Sequence, residues 1–467
     1  MLFNSIDFAI FLPIVFFLYW FVTNKNLKLQ NFLIVVASYV FYGWWDWRFL
    51  SLIAFSSCVD YFVGIQLNKT NLKRRRKLLL LLSVFINLGF LGFFKYYNFF
   101  AENFEVAFTF FGYAIESSRL NIILPVGISF YTFQTMSYTI DIYKRKLEPT
   151  KDAISFFAFV SFFPQLVAGP IERATNLLPQ FYKQRIFNSE KAIHGFLIIC
   201  WGLFMKVVIA DNLAFYVNTI FNDVHSFQGF PLVWATFFFT FQIYCDFAGY
   251  SYIAIGTAKL FGFDLMTNFR QPYLSTSFTG FWNRWHISLS SWFRDYVYIP
   301  LGGNRNGKIN TNKNILITFL LSGLWHGANW TFVIWGATHG FLNIISRKLG
   351  NPKNLKLLRM AMVFIVTMFT WAIFRANSVS DLGYIISNFY KIDSSGLIGL
   401  STITKYDFMQ LLIFIFVLFI ADVFISRFEK KDLILSRFNY VLITSILLVS
   451  IYLFGSFEKQ EFIYFQF

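Results

Sequence analysis

Residues 314–346 read NILITFLLSGLWHGANWTFVIWGATHGFLNIIS. A helix crossing a bilayer needs roughly 20 mostly apolar residues. This run exceeds that length, and Gly323, Gly327, Gly336 and Gly340 interrupt it. The pattern predicts a broken or strongly tilted helix with His326 near the break, well below the membrane surface. Irregular backbone at that depth is tolerated where it is buried in protein or lines a polar cavity. An ionisable group held in hydrocarbon costs a few kcal/mol, so it is a functional candidate by default. His326 is therefore expected in a buried, solvated pocket.

The rest of the chain supports a membrane setting. Of 467 residues, 57% are hydrophobic and 14% charged, and the mean hydropathy is +0.54. A water-soluble protein carries nearly twice that charged fraction. Apolar segments begin near residues 6, 31, 49, 78, 97, 121, 154, 194, 230, 314, 357, 408 and 439, which gives roughly eleven to thirteen helices of spanning length. The runs are too long and continuous for β-barrel alternation. Ile6–Val22 lacks a basic leader, and Lys25 and Lys28 follow where small residues would mark a cleavage site, so it reads as a retained span.

The net charge of +16 is spread over loops between apolar segments, not gathered on a soluble domain. That excludes a nucleic-acid binder and fits contact with anionic lipid. Lys69, Lys73, Arg74, Arg75, Arg76 and Lys77 crowd one loop, and Lys25 and Lys28 lie in a loop two spans earlier. Both sets are expected on the cytoplasmic side, with an external N-terminus. Cys58, Cys200 and Cys245 are far apart in apolar sequence and suggest neither a metal site nor a disulfide framework.

Between Phe281 and Tyr298 the sequence is FWNRWHISLSSWFRDYVY. At helical spacing, Phe281, Trp282, Trp285, Leu289, Trp292, Phe293 and Tyr296 share one face. Asn283, His286, Ser290 and Arg294 form a polar stripe beside it. The expected element is an amphipathic helix at the membrane surface or in a funnel, with His286 turned to a polar cavity and Pro300 and Gly302–Gly303 ending it. GISFYTFQTMSYTID, 127–141, reads as cavity lining or as polar contacts between helices. PQLVAGPIER, 164–173, cannot be helical throughout and offers Arg173 as a phosphate or headgroup contact.

Five histidines are present. His194 and His225 sit near segment ends, where structural roles are the default, and His339 is expected to shape the cavity. His326 and His286 remain as candidates for chemistry. An imidazole titrating near about 6.5 can take a proton from a hydroxyl and return it to a leaving group. That is enough for a hydroxyl to attack a thioester without a covalent serine or cysteine intermediate. There is no G-x-S-x-G elbow, P-loop or H-E-x-x-H, which weakens hydrolase, ATPase and zinc-protease readings. A proton-relay transporter stays open. Asp246 is expected to orient an imidazole, to pair with Arg270 or Arg284, or to bond between helices. Asn329, three residues after His326, would face the same way on a helix.

Several long blocks carry a resemblance: MLFNSIDFAIFLPIVFFLYW, LPVGISFYTFQTMSYTIDIYK, FFPQLVAGPIER, YCDFAGYSYIAIGTAKLFGF, NFRQPYLSTSFTGFWNRWHISLSSWFRDYVYIPLGGNR and LLSGLWHGANWTFVIWGATHG. In this order they resemble the membrane-bound O-acyltransferase superfamily, and most closely its bacterial alginate O-acetyltransferase branch. The resemblance implies one domain over 1–467, with core motifs at about 120–345 and generic sequence beyond about residue 350. It implies tilted or broken helices in a ring around a tunnel, with catalytic histidines at His326 and His286. It further implies an acyl thioester donor such as acetyl-CoA, with no bound cofactor, and a polysaccharide acceptor outside the inner membrane. A periplasmic esterase-like transferase is the implied partner. D-alanyl and peptidoglycan acyltransfer are the alternatives within the superfamily.

Overall fold

Apolar runs become helices. A computed structural model describes residues 1–112, 115, 119–350, 355–391, 403–428, 437–457, 460 and 462–465, and among these there is no strand. Among the described residues six helices are long and apolar enough to cross a membrane: Trp47–Lys69, Lys73–Phe110, Ser189–Asn222, Phe230–Leu260, Lys356–Arg375 and Lys405–Ser426. Ile6–Val22, Leu27–Gly43, Ala153–Leu166 and Phe438–Phe454 are shorter apolar helices. Phe62, Phe85 and Phe416 stand open on such helices, as side chains facing lipid should. The protein is an all-α, multi-pass membrane protein. The runs expected to begin near 78 and 97 join into one helix, because Gly92–Tyr96 forms a wide π turn and not a break.

The chain divides into two compact units, one of residues 1–196 and 254–266, the other of 197–253 and 267–467. In the first, the helix Ile128–Tyr143 is buried along nearly its whole length. Its polar groups bond to neighbouring helices, so of the two readings of 127–141 the interhelical one holds. Thr135 Oγ1 donates to Asn87 Oδ1 (3.1 Å), and Asn87 Nδ2 donates to Asp60 Oδ2 (2.9 Å). Ser83 Oγ donates to Asp60 Oδ1 (2.5 Å) and lies 3.0 Å from Thr139 Oγ1. In hydrocarbon each such group needs a partner inside the protein. The basic run expected as a loop instead begins the helix at Lys73, and Arg76 in its first turn is buried and donates to Ile142 O and Tyr143 O. It thereby satisfies the carbonyls ending that helix and complements its dipole.

The PQLVAGPIER stretch is irregular after the short helix Phe163–Leu166. It buries Glu172 completely, with Asn176 Nδ2 donating to Oε2 (2.7 Å) and the Met266 amide donating to Oε1. Burial raises this carboxyl from its ordinary 4.5 to about 7, the bonds from Asn176 and Met266 offsetting only part of the effect. The folded chain thus holds a proton that the unfolded chain releases. The resulting stability is complete below about pH 4.5 and is lost as pH rises through about 7, on the order of 3 kcal/mol in all. We expect the solubilised protein to melt higher at pH 5 than at pH 8, and Glu172→Gln to flatten that difference. Equal pH slopes for the two proteins would refute the assignment.

In the second unit, two pairs of glycines set helix crossings. A Cβ on Gly202 would strike Gly249 O, and one on Gly249 would strike Gly202 O at 2.7 Å. Small residues of this kind let helix backbones touch in membranes. The crossing brings Lys206 against Asp246: Lys206 Nζ lies 2.8 Å from Asp246 Oδ1 and 2.7 Å from Asp211 Oδ1, all three side chains being almost inaccessible. The second crossing joins the helices Gly307–His326 and Trp330–Leu349, where a Cβ on Gly323 would meet Phe332 O and one on Gly336 would meet Phe319 O. These two helices form a tight antiparallel hairpin whose tip is Gly327–Asn329.

Candidate active site

His326 is the last residue of its helix, and Gly327 continues in extended backbone (φ −167°, ψ 158°). Gly327 leaves room for the Phe332 ring, which a Cβ would overlap. The imidazole is 2% exposed. The rings of Trp325 and Trp335 (both 5.1 Å between centroids), Phe374 (5.4 Å) and Tyr464 (5.7 Å) surround it. The expected break and burial are both present, but the enclosure is aromatic where a polar lining was expected. Trp325 and Trp335 are part of the motif itself, whereas Phe374 and Tyr464 come from sequence that reads as generic.

His286 departs from its expected place on one continuous amphipathic helix. The chain forms a short helix Phe278–Trp282, breaks, and restarts as Ile287–Phe293. His286 sits at the break with left-handed backbone (φ 43°, ψ 54°) and is fully buried. The physical cause is Asn268. Its backbone O accepts from Ile287 N (2.9 Å), and its Oδ1 accepts from Ser288 Oγ (2.9 Å) and Ser288 N (3.3 Å). These side-chain contacts cap the restarted helix from outside the helix's own sequence.

The same Oδ1 lies 3.0 Å from His286 Nδ1. Because Ser288 already presents donors to that atom, it is the amide oxygen, and Nδ1 must carry the imidazole proton. That leaves Nε2 as the basic nitrogen. Burial lowers the pKa of this imidazole, which lies outside the six long spans, so it is neutral and Nε2 is a hydrogen-bond acceptor. Asn268 belongs to the NFRQPY block, and its role was not read from sequence. The missed signal is an amide eighteen residues before a histidine, a spacing that carries no local meaning.

The two histidines share walls. Trp325 lies 5.1 Å from His326 and 6.0 Å from His286, and Tyr464 lies 5.7 Å and 6.3 Å from them. Phe247 closes the His286 side at 4.6 Å. The structure thus brings His286 and His326 into one aromatic enclosure.

Of the other candidates, Asp246 pairs with Lys206 and not with Arg270 or Arg284, and its Oδ2 accepts from the Ile463 amide (2.7 Å). The expected arginine partners sit in a loop, where Arg284 donates to Arg270 O. Asn329 is not on a helix shared with His326, because the chain is extended between them. It caps the next helix, accepting from Thr331 N (3.0 Å), and donates to Asn377 O (2.8 Å).

His339 uses both nitrogens structurally. Trp282 Nε1 can only donate, so His339 Nδ1 accepts (3.3 Å) and Nε2 donates to Thr370 Oγ1 (3.0 Å). His225 pairs with Asp381 (3.1 Å). Asn283 and Arg294 line a cleft of ≈ 500 Å3 together with Ser290, Ser322, Asn343 and Arg347. Ser322 stands one helical turn before His326, so the cleft follows the hairpin toward the buried histidine.

These features define a helical membrane protein with two histidines in one aromatic enclosure at helix breaks. The membrane-bound O-acyltransferase family profile matches residues 143–386. The chain belongs to this family and is an acyltransferase. It is 42% identical over 385 residues to "Probable alginate O-acetylase AlgI" of Pseudomonas putida, covering 81% of this chain and 78% of the relative. A "Peptidoglycan O-acetyltransferase" of Helicobacter pylori is 34% identical, covering 86% and 82%. A "Teichoic acid D-alanyltransferase" of Bacillus subtilis is 29% identical, covering 48% and 58%.

Proposed function

We propose that this protein is a membrane O-acetyltransferase that carries acetyl groups from a cytoplasmic thioester to hydroxyls of an exported, alginate-like polysaccharide. The carrying observation is the single enclosure holding two buried imidazoles, supported by 42% identity to an alginate O-acetylase over most of both chains. In this reading His326 is the general base. An acceptor hydroxyl gives its proton to the imidazole as its oxygen bonds to the thioester carbonyl carbon. The carbon–sulfur bond then breaks, and the proton passes to the departing thiolate. His286, fixed by Asn268 with Nε2 as acceptor, orients the donor or acceptor group.

The donor is acetyl-CoA or another acyl thioester. Arg294 and Arg347 at the cleft suit an anionic donor, and Lys308, Lys313, Arg347 and Lys348 at the open end of the hairpin support a cytoplasmic location for that end. The protein lies in the bacterial inner membrane with its N-terminus outside. A periplasmic esterase-like transferase receives the acetyl group where transfer to the glycan is relayed.

Peptidoglycan is the second reading, since the Helicobacter pylori relative covers the larger share of this chain. Mass analysis of envelope glycans from cells with and without the gene separates the two. Acetyl esters lost from the exported polysaccharide support the first reading and esters lost from peptidoglycan the second. Unchanged ester content in both glycans would sink the assignment.

A further inference from the structure

The turn Ile463–Phe465 lies outside every block that carries the family resemblance, yet it reaches both histidines. We infer that Tyr464 is a specificity-determining wall of the acyl-transfer site, limiting the size of the group transferred. The inference rests on the reading of His326 and His286 as the acyl-transfer site.

The segment carrying Tyr464 is bolted in place. Ser456 N donates to Val207 O (2.8 Å), and Ile463 N donates to Asp246 Oδ2 (2.7 Å). Phe462 stacks on Tyr250 with centroids 4.4 Å apart, and Phe462 and Ile463 are both buried. One anchor is Asp246, the ion-pair partner of Lys206, and the other is Val207, next to Lys206 in sequence, so the buried charge cluster holds the segment that carries the turn. Tyr464 then packs on Phe247 (4.5 Å) and faces the imidazoles opposite Trp325, 6.5 Å away.

Phe247, Trp325 and Tyr464 flank His286, and Trp325 and Tyr464 also flank His326, so an acyl group held between the imidazoles lies against these rings. Trp325 adjoins His326 on the same helix end, so replacing it disturbs the backbone that presents the imidazole. Phe247 and Tyr464 both arrive on segments separate from the histidines, and of the two only Tyr464 reaches both imidazoles, so its ring is the one whose size bears on both. Interiors packed to crystal density do not yield space for added methylenes without cost. One methylene in such an apolar site is worth roughly 10–200-fold in discrimination.

The test uses full-length protein in cells lacking the native gene, supplied with propionate and butyrate. Acyl groups on the exported polysaccharide are identified by mass for wild type, Tyr464→Ala, Tyr464→Leu and His326→Ala. With Tyr464→Ala the ratio of propionyl and butyryl to acetyl esters should rise at least about 10-fold. With Tyr464→Leu propionyl should rise and butyryl should not. A wild-type ratio in whichever variant accumulates in the membrane overturns the size limit. So does complete loss of all esters in both variants while the protein is present at normal level. Esters persisting in His326→Ala would instead bring down the assignment of the site itself, so the two failures read differently.

Discussion

His326→Ala is expected to abolish polysaccharide acetylation, by roughly 10²–10⁴-fold if the imidazole moves the proton, while the protein still reaches the membrane. The substitution empties space among Trp325, Trp335, Phe374 and Tyr464, so some loss of stability accompanies it. His326→Gln separates the two effects. Glutamine fills comparable volume and keeps hydrogen bonding, but it cannot take up a proton at neutral pH. Both variants should therefore lose ester formation, and Gln should melt closer to wild type than Ala. Ester content near wild type in His326→Gln would show that the ring only fills space.

The second large effect is structural and lies at Lys206. One ammonium serves two carboxylates, Asp211 and Asp246, all of them 4% exposed or less. Lys206→Met removes the cation and leaves both acids without a counter-charge. Breaking a buried pair in this way costs roughly 3–5 kcal/mol, enough to unfold many domains. We expect Lys206→Met to fall sharply in membrane abundance and melting temperature. Asp246→Asn added to it should recover part of the loss, because the remaining acid then has a neutral amide as neighbour. A melting temperature equal to wild type in Lys206→Met would show that the acids are already protonated and that the cluster is held by other contacts.

Much of the helical plan is legible locally. Apolar runs of spanning length and the glycines around His326 report what the bilayer demands of any chain, and the helix does end at His326. Legibility fails where distant residues decide. The pattern of 281–298 fits one amphipathic helix well, yet Asn268 takes over the backbone amides of Ile287 and Ser288 and turns the chain at His286. Asp246 meets a lysine forty residues upstream because Gly202 and Gly249 let two helices touch. Neither the glycine pair nor the lysine is marked by spacing. Asn329 would face with His326 only on a helix through Gly327, where the backbone is extended. Tyr464 lies in a stretch with no motif, and only the three-dimensional path of the chain carries it to the histidines.

The hairpin that carries His326 is sealed by main chain pressed on main chain at Gly323 and Gly336. Side chains can swing aside for a guest, but peptide groups in such contact have nothing to retract. The two helices must travel as one blade, with His326 riding at its tip. Whatever opens to admit the reactants is therefore built from neighbouring parts, and the imidazole waits in a fixed berth while cargo is brought alongside.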